Sequence, residues 1–118
     1  MIRLVYMLLV IVLLVTRTSA EEALECTTGP LLKSINNAIW QIYSCTDEKT
    51  LLLLAAGENP ANPYYFLLAP DGDAYRLYGE GKANETLTEP VADFVRQLSE
   101  DEILLLLEAT KDVAHDAS

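Results

Sequence analysis

The stretch Tyr64-Tyr65-Phe66-Leu67-Leu68-Ala69-Pro70-Asp71-Gly72-Asp73-Ala74-Tyr75-Arg76-Leu77-Tyr78 reads as a β-hairpin. Two runs rich in aromatic and apolar residues flank Pro70-Asp71-Gly72-Asp73, and Asp-Gly supplies the left-handed backbone that a tight turn needs. Strands are therefore expected over residues 64–69 and 74–78. Alternation in the second sends Tyr75 and Leu77 to one face and Arg76 and Tyr78 to the other.

Towards the amino end, a second pair of strands is expected over residues 38–45 and 50–56, joined by the polar turn Thr46-Asp47-Glu48-Lys49. The second of these contains four consecutive leucines, the composition of a strand covered on both faces. Before it, Gly29-Pro30 followed by Leu31, Leu32, Ile35 and Ile39 has the spacing of one apolar helix face, with proline tolerated in the first turn. This predicts a short helix over residues 30–37. The same pattern extends to Ile42, but the Ile, Trp and Tyr content favours a switch to strand near Ala38. A straight fifteen-residue helix, about 22 Å long, would also hold Cys26 and Cys45 too far apart to bond unless the lead-in doubled back.

Towards the carboxyl end two helices are expected. Thr88 is positioned to cap the first, whose Val91, Phe94, Val95 and Leu98 recur at helical spacing with Pro90 in the first turn. Ser99 and Glu102 form a capping box for the second, which carries Ile103, Leu106 and Leu107 on one face with Leu104 and Leu105 beside them. Residues 113–118 are expected to fray. The fold class is thus α+β: a four-stranded antiparallel β-meander with a short N-terminal helix, two C-terminal helices packed on the sheet, and one disulfide.

Residues 1–20 have the layout of a secretory signal peptide: Arg3 near the start, an apolar run from Leu4 to Val15, then Thr18-Ser19-Ala20 before the acidic Glu21. Twelve apolar residues rise about 18 Å as a helix, short of the roughly 30 Å hydrocarbon layer, so cleavage after Ala20 is expected rather than a retained anchor. Cys26 is preceded by Glu25 and stands six residues from Ala20, which excludes a lipoprotein-type acylation site. The mature product is then one α+β domain over residues 21–112 with the frayed tail, exported to a periplasmic or extracellular location and with no membrane span.

The whole chain of 118 residues carries 18 acids against 8 bases, a net charge of −10; loss of Arg3 and Arg17 with the leader takes this to −12. Such a surface repels a phosphate backbone, which excludes general nucleic-acid binding. Cys26 and Cys45, an even pair in a chain bound for an oxidising compartment, are expected to form a disulfide, and their spacing does not match a redox dithiol.

No residue set announces catalysis. His115, the only histidine, stands in the polar carboxyl end where nothing would fix its tautomer, and the histidine and cysteine supply is too small for a zinc site. Gly79-Glu80-Gly81-Lys82 lacks the glycine and hydroxyl residues of a phosphate loop, and Asp71-Gly72-Asp73 lacks the rest of a calcium loop. No catalytic residue, metal ligand or cofactor is assigned, and the protein is expected not to be an enzyme.

What remains is surface. Glu58-Asn59-Pro60-Ala61-Asn62-Pro63 is stiffened by two prolines and runs into Tyr64-Tyr65-Phe66, so Asn59, Asn62, Tyr64, Tyr65 and Tyr78, with Tyr43, are candidate partner-binding residues. The alternative is that these rings are core and the Asn-Pro pairs only turn the chain. Asn84-Glu85-Thr86 is a glycosylation acceptor if the source is a eukaryote. The expected function is that of a small acidic exported binding protein, an inhibitor or accessory factor acting on a basic protein partner. The rival is a structural or accessory cell-envelope protein, a homodimer pairing edge strands, whose acidity serves only solubility. A small-ligand carrier would need an apolar pocket between sheet and helices.

Overall fold

Asn36 and Asn37 both adopt left-handed backbone, with φ of 52° and 66°. Two consecutive positive-φ residues make the tight turn whose twist matches a hairpin, and asparagine tolerates that region better than any side chain but glycine's hydrogen. The chain therefore doubles back here, and the segment before the turn is a strand. In the computed structural model, residues 24–117 are described; the expected signal peptide, residues 1–20, lies outside them. Five strands follow one another, β1 (Thr28–Ile35), β2 (Ala38–Ser44), β3 (Leu51–Leu54), β4 (Tyr65–Asp71) and β5 (Ala74–Glu80), and then two helices, α1 (Glu85–Arg96) and α2 (Glu100–Ala117). The strands form one antiparallel sheet in the order β1-β2-β3-β4-β5.

The expected α+β meander is present, with five strands rather than four, because the stretch expected as a helix over 30–37 is instead the end of β1 and the Asn36-Asn37 turn. Leu31 and Ile35 do share a face, as four-residue spacing on a helix would also require. In β1 they do so because both are odd-numbered, together with Lys33, opposite Ile42, Trp40 and Ala38. Gly29, the second residue of the strand, has φ 139°, and an added Cβ there would sit 2.7 Å from the Ile42 carbonyl oxygen. The switch at Ala38 is observed, since β2 starts there. The hairpin of β4 and β5 closes with Asp71 opposite Ala74 around Gly72, whose φ is 63°.

The core lies between one face of the sheet and both helices. Trp40, Ile42, Leu51, Leu53, Phe66 and Leu68 point into it, as do Val91, Ala92 and Val95 of α1 and Ile103 and Leu107 of α2. Trp40 is 1% exposed and its ring lies 5.6 Å from that of Phe66. One buried polar contact sits under α2: the Thr110 hydroxyl is 2.8 Å from the Ser44 hydroxyl and 2.6 Å from the Leu107 carbonyl oxygen. The four leucines split, Leu51 and Leu53 buried under the helices and Leu52 and Leu54 half-buried on the opposite face. Among the described residues β3 is thus covered by helices on one face only, not on both.

The helix boundaries differ from expectation at two points. Asn84, not Thr88, caps α1: its side-chain oxygen accepts a hydrogen bond from the Thr86 amide, and Thr88 is buried inside the helix. Pro90 consequently falls in the second turn and forfeits one backbone bond. The capping box of α2 is as expected, with the Ser99 amide donating to Glu102 at 2.9 Å and the Glu102 amide donating to Ser99 Oγ at 3.1 Å. Hydrogen bonding from the Ser99 amide and from the Ser99 side chain holds the Glu102 carboxyl below the ordinary value for a glutamate. The helix then runs to Ala117, through the segment expected to fray; Thr110 is buried, and Val113 and Ala114 are half-buried.

Cys26 and Cys45 are bonded. The bridge extends the β1–β2 ladder, since beside it the Thr46 amide donates to the Glu25 carbonyl at 2.8 Å and the Glu25 amide to Thr46 Oγ1 at 3.3 Å. In the loop that follows, desolvation pushes the Asp47 carboxyl up. Hydrogen bonds from the Thr50 hydroxyl and from the Lys49 and Thr50 amides outweigh it, and the net position is below the ordinary value.

Candidate docking surfaces

The five expected partner-binding residues do not form one surface. Asn59 is buried: its Nδ2 donates to the Ile39 carbonyl at 2.8 Å and its Oδ1 accepts from the Ala61 amide at 2.9 Å, so it ties the β3–β4 loop to the start of β2. Asn62 is exposed and braces the same loop by donating to the Gly57 carbonyl at 3.0 Å. Tyr64 is half-buried on the core side, 5.0 Å from the Phe66 ring and against Gly79 and Gly81. Asn59→Ala removes one donor and one acceptor from an enclosed loop. A loss of about 2 kcal/mol is expected, measured as a lowered midpoint of urea unfolding.

Tyr65 and Tyr78 do come together, on the sheet face turned away from the helices. Tyr65 is aligned with Leu54 and Glu80 across the ladder, and its hydroxyl donates to Glu80 at 3.2 Å, which raises the phenol above its ordinary value. Tyr78 is aligned through Leu67 and Leu52 with Tyr43. Three side chains on or flanking this face stand well out into solvent, Leu32 at 61%, Ile39 at 51% and Tyr78 at 48% exposure. Leu32 was not expected on this face because residues 30–37 were expected to be helical, and Ile39 because it was counted in the same apolar stripe. The legible signal was the Asn36-Asn37 pair between alternating apolar residues. Among the described residues, the charged side chains at the outward strand positions are Asp71, Arg76 and Glu80. The first two are paired with each other at 2.9 Å and the third accepts from Tyr65.

The helices form the opposite layer, and it is acidic. α1 and α2 carry nine of the chain's 18 acids against two bases, Arg96 and Lys111. Both bases are already engaged, Arg96 with Glu89 and Asp93 at 3.2 and 3.3 Å, and Lys111 with Glu48 at 2.7 Å. Within this layer Leu104 and Leu105 are 56% and 68% exposed. Leu105 lines a shallow groove of about 370 Å³ with Phe94, Leu98, Glu102 and Ala109, and Lys33 sits over the Phe94 ring at 5.6 Å.

A second cleft, of about 520 Å³, lies between the β4–β5 hairpin and the α1–α2 turn, with Leu68, Leu77, Val95 and Ile103 in its wall and Asp73 and Glu100 at its rim. Burial, reinforced by the nearby Glu100 and Asp47 charges, pushes the Tyr75 phenol there upward. His115 is exposed in the last turn of α2, and among the described residues no group of three or more histidine, cysteine or acidic side chains is placed to hold a metal ion. No helix of the described residues is long and apolar enough to cross a membrane. Asn84 is exposed at the α1 cap, and the cap uses its oxygen, leaving Nδ2, the atom that carries a glycan, outside that bond. Compared with protein-family models, with curated proteins and with solved structures, the chain matches none.

Proposed function

We propose that the protein is a small exported, non-enzymatic binding module that restrains a basic protein partner through its acidic helical layer. Leu104 and Leu105 carry the proposal: two large apolar side chains, more than half exposed, stand on a helix whose other outward residues are mostly acidic. Exposed leucine inside a field of one sign is the pattern of an interface that steers by charge and holds by apolar contact. A partner presenting Lys and Arg around an apolar ridge is complementary to it. Export is supported by the Cys26–Cys45 bridge, which persists in oxidising compartments.

The test is titration of the disulfide-intact protein against a panel of secreted cationic hydrolases. Binding to at least one is expected, weakening tenfold or more between 50 and 500 mM NaCl because association is charge-assisted. The pair Leu104→Ala and Leu105→Ala should cost a further tenfold without altering the fold, since neither side chain is in the core. Binding indifferent to salt, or unchanged by that pair, would count against the helical layer.

A further inference from the structure

We infer that the sheet face turned away from the helices is a self-association surface whose occupant is a second copy of this chain, face to face. The distribution of charge picks this occupant. A chain with net charge −10 repels its own kind, and the repulsion is strongest where helices meet helices, with nine acids on each side. The sheet face is different. Its central rows, Tyr43-Leu52-Leu67-Tyr78 and Leu32-Gln41-Leu54-Tyr65, contain no charged group until Glu80 at the end of the second. Two copies meeting here turn their acidic layers outward, as far apart as the fold permits. A basic partner, by contrast, finds little on this face to attract it.

Shape and size agree. Five strands about 4.8 Å apart and about seven residues long offer a plan area near 500 Å², so a pair covers about 1,000 Å², the lower bound for a specific interface. Leu52, Leu54 and Leu67 are half-buried on this face, suited to interdigitate with their copies at the roughly 10 Å spacing of packed sheets. Around them Tyr43 donates to the Gln41 side chain at 3.1 Å and Tyr65 to Glu80 at 3.2 Å, so these two hydroxyls enter the interface already partnered. The product is a ten-stranded sandwich with a helical layer on each outside. This is distinct from pairing of edge strands, in which β1 or β5 would extend the sheet sideways.

Sedimentation equilibrium of the protein recovered from an exporting host, disulfide intact, between 1 and 200 μM tests it. A monomer–dimer equilibrium in the micromolar range is expected, unchanged or strengthened from 50 to 500 mM NaCl because screening removes repulsion. That sign is opposite to the one expected for the basic partner, so the two proposals fail separately. Leu32→Glu and Tyr78→Glu, both at exposed positions, should each weaken the dimer at least tenfold with the circular dichroism spectrum preserved. Isotope-filtered NOEs between differently labelled wild-type copies, linking Leu67 methyls to the Tyr78 ring, need no variant. A monomer at 200 μM, a dimer weakened by salt, a dimer indifferent to both substitutions, or intermolecular NOEs confined to β1, β5 or α2 would overturn the inference.

Discussion

Trp40→Ala is expected to cost about 3–5 kcal/mol, the range found when a large aromatic ring is removed from a core that cannot collapse around the space. Trp40 is 1% exposed, points from β2 into the sheet–helix core, and stacks at a tilt against Phe66. It belongs to one buried cluster with residues of the ladder and with Ile103 and Leu107 of α2, so little relaxation is available. A domain of this size has roughly 5–15 kcal/mol in total, and the variant should unfold at a far lower urea concentration with its far-UV spectrum native in buffer. Trp40→Phe keeps most of the apolar volume and should recover more than half of the loss. Because Trp40 is the chain's only tryptophan, wild-type unfolding can be followed by its emission and the variants by circular dichroism. A loss below 1 kcal/mol for Trp40→Ala would mean that the core is not closed over this ring.

What the sequence disclosed follows from how local each signal is. The β4–β5 hairpin was legible because turn chemistry at Gly72 and strict alternation at Tyr75, Arg76, Leu77 and Tyr78 agree, and the α2 start was legible because Ser99 and Glu102 satisfy each other without help from the rest of the fold. β1 was misread because Leu31, Leu32, Ile35 and Ile39 fit a helical stripe as well as a hairpin. The deciding residues were the two asparagines, whose paired positive φ is a turn device easily overlooked beside Asn-Gly. The candidate surface was least legible. Tyr64 and Tyr65 are adjacent in sequence and therefore on opposite faces of the sheet, while Asn59 turned inward to satisfy a carbonyl of β2 twenty residues away. Net charge is a sum over the chain, and it could not show that half the acids gather on the helices while Leu32, Tyr65 and Tyr78 lie on the sheet face turned away from them.

Removing the bridge with Cys26→Ala and Cys45→Ala together is expected to destabilise the protein by about 3 kcal/mol, because closing a loop of this length withdraws that much chain entropy from the unfolded state. Alanine is the suitable replacement at position 45, which is 3% exposed and would bury an unpartnered hydroxyl if serine were used. The effect should have a spatial signature as well as a magnitude. The Thr46 amide, bonded to the Glu25 carbonyl beside the bridge, should lose hydrogen-exchange protection ahead of the amides of β3, since without the covalent anchor at Cys26 the segment before β1 is held there by two exposed hydrogen bonds alone. Dithiothreitol added to the wild type should reproduce the loss, and native protein should show no reactive thiol before reduction. Taken as independent, the two costs add to about 6–8 kcal/mol, comparable with the stability of the whole domain. Trp40→Ala is then expected to fold in an oxidising medium and to unfold on reduction alone. If the double-alanine variant keeps wild-type stability, the bridge is incidental to the fold, and the support it lends to an exported, oxidised site of action falls with it.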